Sequence, residues 1–444
     1  MKSVQRRKLA AIVVYAYSRS RFWRDWFDNA KVVPTEIQNP GDLQRLPLCA
    51  KKDLLSRPVE ERLTREPEGC VRFSTSGTTG PPMPVYLERS VARNYKLRVP
   101  TRLRYQYWAR DTESVFFKDL QIAFARTSSL DSGMREDSTR TSRKEEREED
   151  PHRVRNQILG GTRSRLVGPI VSRFHNRLCS TANMSEDISE VLPAVLEYRP
   201  GVIEGAISYL RLLADYATEK RLSDHIRPAR FITAGEPVDE PNRAYIESVF
   251  RTNVYQAYGC NETGLVSFEC VEKKGMHVIE DTVILEVLDK EGNPVPPGET
   301  GEIVATGLVN KAMPLIRYRL GDMGYMSSDG PCSCGITLPM LRSVEGRAAH
   351  YMHFPNGQQI SPKRMLTLMH SIAGLPRCQA VQDAPESVAV RVFAQGKPFP
   401  RSSVDEFVSV LQKEAGGSVK ISSSIMPAQR LAVKFSASVP FSGQ

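Results

Sequence analysis

The run Ser74-Thr75-Ser76-Gly77-Thr78-Thr79-Gly80-Pro81-Pro82 leads out of a short apolar stretch containing Val71 and Phe73. Glycines let backbone N–H groups turn inward to form an anion-binding concavity, and small hydroxyls add donors without bulk. Such a loop suits a polyphosphate. No Gly-Lys-Ser/Thr follows the second glycine, so it is not a Walker A loop. Three further segments follow in order. Thr233-Ala234-Gly235-Glu236-Pro237 closes the apolar run Phe231-Ile232. Tyr258-Gly259-Cys260-Asn261-Glu262-Thr263-Gly264 comes next, and Arg317-Tyr318-Arg319-Leu320-Gly321-Asp322 precedes Gly346-Arg347. Apart from these, Cys270, His277, Cys332 and Cys334 offer three thiolates and one imidazole, a donor set for tetrahedral zinc. The Cys-x-Cys spacing is tighter than usual and the two halves are far apart in sequence, so unliganded cysteines are the alternative.

These residues must be positioned by a chain of 444 residues, long enough for two or three domains with substantial cores. It is 40% hydrophobic and 25% charged, as expected of a soluble globular protein. No apolar run approaches the ~20 residues of a membrane helix. The stretch Leu9 to Tyr15 follows Arg6, Arg7 and Lys8 but meets no small-residue cleavage site before Trp23, so it is expected to be the first helix of the fold. The expected location is the cytoplasm. The net charge of +10 is scattered, without a nucleic-acid-binding signature, so neither nucleic acid nor membrane is an expected partner. Eight cysteines form no dense framework in a chain this long and are expected to be thiols or metal ligands.

Residues 1 to about 70 suggest helices around a proline-rich loop. Strand-like runs follow at Ser114 to Phe117 and Ile122 to Phe124. The mixed-charge stretch 127–150 cannot bury a core and is expected to be a solvated helix or a disordered loop, with a lid or docking segment as the alternative. From Ile188 an amphipathic helix, the strand Pro200 to Gly205, another helix and the strand Arg230 to Ile232 set a βα rhythm, which predicts a largely parallel, layered sheet. From Val278 to Gly307 the pattern becomes β-rich. Beyond Gly346-Arg347, Val388 to Phe393, Val404 to Glu414 and Val419 to Ile425 predict a compact α+β unit. The expected architecture is a large layered α/β domain with a β-rich subdomain over 1–346, and a small α+β lid over 347–444.

The four ordered motifs resemble the adenylate-forming superfamily of acyl-CoA synthetases, adenylation domains and luciferases, and within it the phenylacetate-CoA ligase and capsule-type branch. Ser20-Arg21-Phe22-Trp23, Leu46-Pro47-Leu48 and Lys51-Lys52-Asp53-Leu54-Leu55 fit that branch too, and the likeness runs from about Ser18 to Lys434. It implies an ATP- and Mg²⁺-dependent ligase. A small carboxylic acid attacks the α-phosphorus of ATP, pyrophosphate leaves, and the acyl-adenylate passes its acyl group to coenzyme A. An amine or carrier protein as acceptor, or a non-catalytic nucleotide-binding descendant, are the rival readings.

The resemblance also implies roles. Ser76, Gly77, Thr78, Thr79 and Gly80 hold the β- and γ-phosphates, and Glu262 ligates Mg²⁺ beside Asn261. Tyr258, with Gly259 after it, stacks on adenine, and the backbone of Gly235, Glu236 and Pro237 lines the other side of the base. Asp322 accepts from the ribose hydroxyls, and Arg347 contacts ribose or α-phosphate at the domain junction. Lys434 neutralises charge between carboxylate and phosphate, with Arg430 as its substitute. The branch shows similar Cys/His positions, which favours structural zinc. Pocket residues for the acid are expected between Phe116 and Phe124 and around Ala234 and Ala257. Three departures stand out: Pro81-Pro82-Met83-Pro84 where a lysine usually follows the loop, Ala348-Ala349-His350 in place of acidic hinge residues, and no glycine before Lys434.

Overall fold

The computed structural model describes residues 2–75, 81–92, 119–123, 179–183, 188–394, 398–426 and 437–441. The charged stretch 127–150 and the run Ser114 to Phe117 lie outside them. Strands β1 (Cys70–Ser74) and β2 (Pro84–Glu88) form an antiparallel ribbon. The main sheet begins with β3 (Asp119–Ala123), β4 (Cys179–Asn183), β5 (Val202–Gly205), β6 (Arg230–Thr233) and β7 (Val254–Cys260), all parallel. It continues through β8 (Gly264–Glu269), β9 (Met276–Val278), β10 (Val283–Leu288), β11 (Gly301–Gly307), β12 (Tyr318–Met326) and β13 (Met340–Arg347), all antiparallel. Among the described residues its order is β4-β3-β5-β6-β7-β8-β9-β13-β12-β11-β10, and β7 is the strand at which direction changes.

The parallel half follows from the βα rhythm. The helix Ile207–Glu219 buries Ile207, Leu210, Ala214 on one line and Tyr209, Leu213, Ala217 on the next, one broad apolar face at helical spacing. That face meets Ile203, Phe231 and Val254 from the strands. The antiparallel half has its own core, closed by the N-terminal helices Lys2–Arg19 and Arg21–Asn29. Ser20 caps the second of these, accepting from the Trp23 N–H, and the helix thereby presents Trp23 and Phe27 inward. Trp23 is fully buried and donates its indole N–H to the Pro314 carbonyl at 3.0 Å, so its one polar atom is satisfied.

After Arg347 the chain builds a third core. The ribbon β14 (Met352–His353) and β15 (Gln359–Ile360) precedes the helix Pro362–His370. A four-stranded sheet follows, from β16 (Arg377–Ala384), β17 (Ser387–Phe393), β18 (Lys420–Ile425) and β19 (Ser438–Val439), ordered β18-β17-β16-β19. Met365, Val390, Phe407 and Leu411 are at its centre, the last two supplied by the helix Arg401–Ala415. Among the described residues no helix is long and apolar enough to cross a membrane.

Candidate active site

The site is built where the two halves of the main sheet meet. On β12, Gly321 takes φ +76, a left-handed turn that a side chain disfavours, and Asp322 follows it. Cross-strand register sets Asp322 opposite Arg347 of β13. The Arg347 Nε lies 3.1 Å from Asp322 Oδ1, and its Nη1 donates to the Leu320 carbonyl at 2.6 Å. From β7 the Tyr258 hydroxyl donates to the other carboxylate oxygen, Oδ2, at 2.9 Å. Burial holds the Tyr258 hydroxyl well above its usual pKa, and the Asp322 charge raises it further, so it stays a donor. Each carboxylate oxygen thus has a donor from the protein. Tyr258 is also packed in the core, so its hydroxyl, more than its ring face, defines its place in the site.

Thr75 and Met83, which flank the segment expected to bind phosphate, bond to each other. The Thr75 N–H donates to the Met83 carbonyl at 3.0 Å, and the Met83 N–H returns to Thr75 Oγ1 at 2.9 Å. Asn261, between β7 and β8, donates its amide to the Ser74 carbonyl at 2.9 Å. It thereby ties the Tyr258–Glu262 segment to the loop's entry. Ser76, Gly77, Thr78, Thr79 and Gly80 themselves lie outside the described residues, as do Lys434 and Arg430. Gly259 has no room for a side chain, because a Cβ there would lie 2.4 Å from the Gly264 carbonyl.

Lys51 joins this end of the site, although nothing in its local sequence assigned it a role. The Cys49 N–H donates to the Arg317 carbonyl and the Arg319 N–H to the Cys49 carbonyl, both at 2.9 Å, which pins the N-terminal segment along β12. The short helix Lys51–Leu55 starts there. Burial lowers the Lys51 pKa, the Glu262 carboxylate raises it again, and Arg347 opposes that, so all three charges share one neighbourhood. Glu262 is half-buried, and its charge also reaches Tyr318.

Gly235 takes φ +86 after β6 and turns the chain into Glu236-Pro237. The Glu236 carboxylate accepts from the Ser208 N–H and hydroxyl, each at 3.0 Å, so its side chain is anchored to the helix Ile207–Glu219. Gly346, at φ +108, lies beneath Pro237 and Pro362, where a Cβ would approach the Pro362 Cβ to 2.8 Å. Ala257 is buried and Ala234 half-buried beside this turn. Of the remaining acid-pocket stretch only the β3 backbone is described.

The cysteine and histidine cluster assembles away from these residues. One donor atom each from Cys270, His277, Cys332 and Cys334 lies within 4.8 Å of every other. Cys270 Sγ is 3.6 Å from Cys332 Sγ, and Cys334 Sγ is 3.4 Å from His277 Nε2. A tetrahedron with Zn–S near 2.3 Å has edges of about 3.7 Å, so the donor set fits the ion. His277 Nδ1 is 3.4 Å from the Leu338 carbonyl, the outer contact that leaves Nε2 free to ligate.

The family model described as AMP-binding enzyme matches residues 161–310. The chain is 26% identical over 353 residues to a phenylacetate-coenzyme A ligase of Thermus thermophilus, covering 78% of this chain and 70% of that protein. The chain resembles the AMP-binding, adenylate-forming enzymes. A phenylacetate-coenzyme A ligase of Escherichia coli is 24% identical over 329 residues, 73% of this chain and 66% of its relative. Among solved structures, 2-hydroxyisobutyryl-CoA ligase in its postadenylation state superposes with a TM-score of 0.73 at 17% identity, over 97% of this chain and 87% of that one. The same ligase in its thioesterification state gives 0.63 at 18% identity, over 99% and 89%. The fold, including its mixed sheet, is therefore that of the adenylate-forming enzymes.

Proposed function

We propose that this chain is an AMP-forming acid–CoA ligase: it joins a small carboxylic acid to AMP from ATP, then passes the acyl group to coenzyme A. The observation that carries this reading is the Asp322 carboxylate, held from both sides by Tyr258 and Arg347 where the parallel and antiparallel halves of the sheet meet. That carboxylate suits the vicinal hydroxyls of a ribose, which need two acceptors side by side. The bond from Asn261 to Ser74 ties the segment after Tyr258 to the residue ahead of the proposed phosphate loop, which supports one nucleotide lying across both. Ser76 to Gly80 then hold the β- and γ-phosphates, and Glu262 is the residue to ligate Mg²⁺. The cation that the loop lacks after Gly80 is supplied by Lys51, which offsets the repulsion between the attacking carboxylate and the triphosphate. Lys434 is the catalytic lysine from the C-terminal unit, and residues 347–444 act as the lid over a domain ending at 346. Cys270, His277, Cys332 and Cys334 hold a structural zinc that staples β8, β9 and the segment before β13, with no part in the chemistry. The relatives' names speak for coenzyme A as acceptor and for an aromatic acid as the first substrate to try.

The test is pyrophosphate release with Mg-ATP and a panel of aryl and short aliphatic acids, first without and then with coenzyme A. Release with one acid in both conditions, and a thioester only when coenzyme A is present, is the expected result. Release without thioester moves the acceptor to an amine or carrier protein. No release with any acid, while ATP still binds, overturns the enzymatic reading.

A further inference from the structure

The C-terminal unit touches the turn after β6 at successive residues. Pro362 and Pro237 both lie against Gly346, where only the absence of a side chain leaves room for them. Arg377, at the start of β16, faces Glu236, whose charge counters the burial that lowers the arginine's pKa. His370, the last residue of its helix, lies with Nδ1 3.0 Å from Asp239 Oδ1. The Asp239 side chain is fully buried, whereas that of His370 is 30% exposed.

Asp239 serves two elements at once. The same Oδ1 caps the helix Glu240–Phe250 by accepting from the Asn242 N–H at 3.0 Å, and the other oxygen, Oδ2, is buried without a hydrogen-bond partner among the described residues. A buried carboxylate with one unsatisfied oxygen depends on a nearby donor or cation to remain in place. His370 is the group from the C-terminal unit that meets this need, and the turn it steadies is the one proposed to line adenine.

We infer that His370 and Asp239 form a latch that seats the C-terminal unit on the Gly235–Asp239 turn while the acyl-adenylate is made. The inference rests on the ligase reading above. His370 acts through Asp239 and the turn, so it is a positioning residue.

The experiment compares His370→Ala, His370→Gln and the unaltered chain in two separate half-reactions. Pyrophosphate exchange reads the first. Thioester formation from a chemically prepared acyl-adenylate and coenzyme A reads the second. The expected result is a roughly tenfold loss in pyrophosphate exchange for His370→Ala, the scale of a lost partner to a buried charge that is itself part-exposed. The second half-reaction is unchanged or faster, and His370→Gln, which can still donate to Asp239, restores much of the first. Equal losses in both halves, or no loss in the first, overturn the latch. Hydrogen exchange on the full chain gives an answer that needs no substrate. His370→Ala should raise exchange across residues 235–242 and 362–371 together, and unchanged exchange there overturns the latch by itself. An unaltered chain that exchanges no pyrophosphate with any acid overturns the ligase reading, and with it the assignment to the first half-reaction, while hydrogen exchange still decides whether the contact holds the unit in place.

Discussion

Replacing Asp322 by asparagine keeps the shape of the side chain and removes its charge, and the consequence can be worked from its two neighbours. Tyr258 O–H and Arg347 Nε–H both point at it, one at each oxygen. Asparagine has one carbonyl oxygen, so its NH₂ must face one of these donors, and that donor loses its partner. An unsatisfied buried donor costs about 1–3 kcal/mol, which should appear as a lower thermal midpoint. A second loss falls on the nucleotide. If the carboxylate accepts from both ribose hydroxyls, two charge-assisted bonds weaken, each worth about 1.5 kcal/mol at the low end, or about 3 kcal/mol together. That corresponds to a drop of about 100-fold in kcat/KM for ATP in pyrophosphate exchange. The assay is run with ATP and 2′-deoxy-ATP. The unaltered enzyme should prefer ATP, and Asp322→Asn should lose most of that preference, because the group that reads the hydroxyl is gone. A variant with kcat/KM for ATP within about threefold of the original, an effect under 1 kcal/mol, would refute the ribose assignment.

Further outcomes follow from other contacts. Lys51→Ala should lower pyrophosphate exchange by about one to two orders of magnitude, the scale of a lost cation at a transferring phosphate, with little change in thermal midpoint. Tyr258→Phe removes only the hydroxyl and should destabilise the fold by about 1.5–3 kcal/mol in denaturant titration, since the lost bond was to a charged group. Gly346→Ala forces a side chain into a left-handed backbone and onto Pro362, and should cost about 1–3 kcal/mol or displace the C-terminal unit, read by hydrogen exchange over residues 362–371. The purified protein should carry about one equivalent of zinc by elemental analysis. Cys332→Ser or Cys334→Ser should lose it and lower the thermal midpoint by several degrees, with KM for ATP unchanged.

The parallel half of the sheet was legible because its signal is local: Ile207 to Ala217 repeat at helical spacing, and Arg230 to Ile232 stand between turn residues. The strand at which direction changes was not. Gly264–Glu269 reads as the tail of a nucleotide motif, and its antiparallel pairing with β7 depends on the three-residue turn 261–263 and the close approach of Gly259 to Gly264, which periodicity does not encode. The C-terminal unit was outlined from Val388 and Val404, each inside an observed element, and from Val419, one residue before β18. Within the site, Asp322, Glu262 and Asn261 could be picked out by type and motif. Their partners could not, because these are matters of register and long-range pairing. Asp322 meets Arg347 through the β12–β13 ladder, and Lys51 arrives only because Cys49 bridges to Tyr318. Cys270, His277, Cys332 and Cys334 could be singled out by donor type, and their donor atoms do come together, since ligand types stay recognisable when the segments that carry them are distant.

The attachment of the N-terminal segment to β12 bears on how the chain is made. Trp23 bonds to Pro314, Thr64 to Lys311 and Cys49 to the strand beginning at Tyr318, so the opening helices, which pair early with each other and with Arg57 and Glu61, complete their core only with the last third of the polypeptide. At a ribosomal speed of about 5–20 residues per second, those partners emerge roughly a quarter of a minute to a minute after Trp23 and Phe27. During that interval a large aromatic surface waits without its core. Nascent chains of this protein should therefore engage chaperones early, through their first thirty or so residues, and release them once β12 has left the exit tunnel.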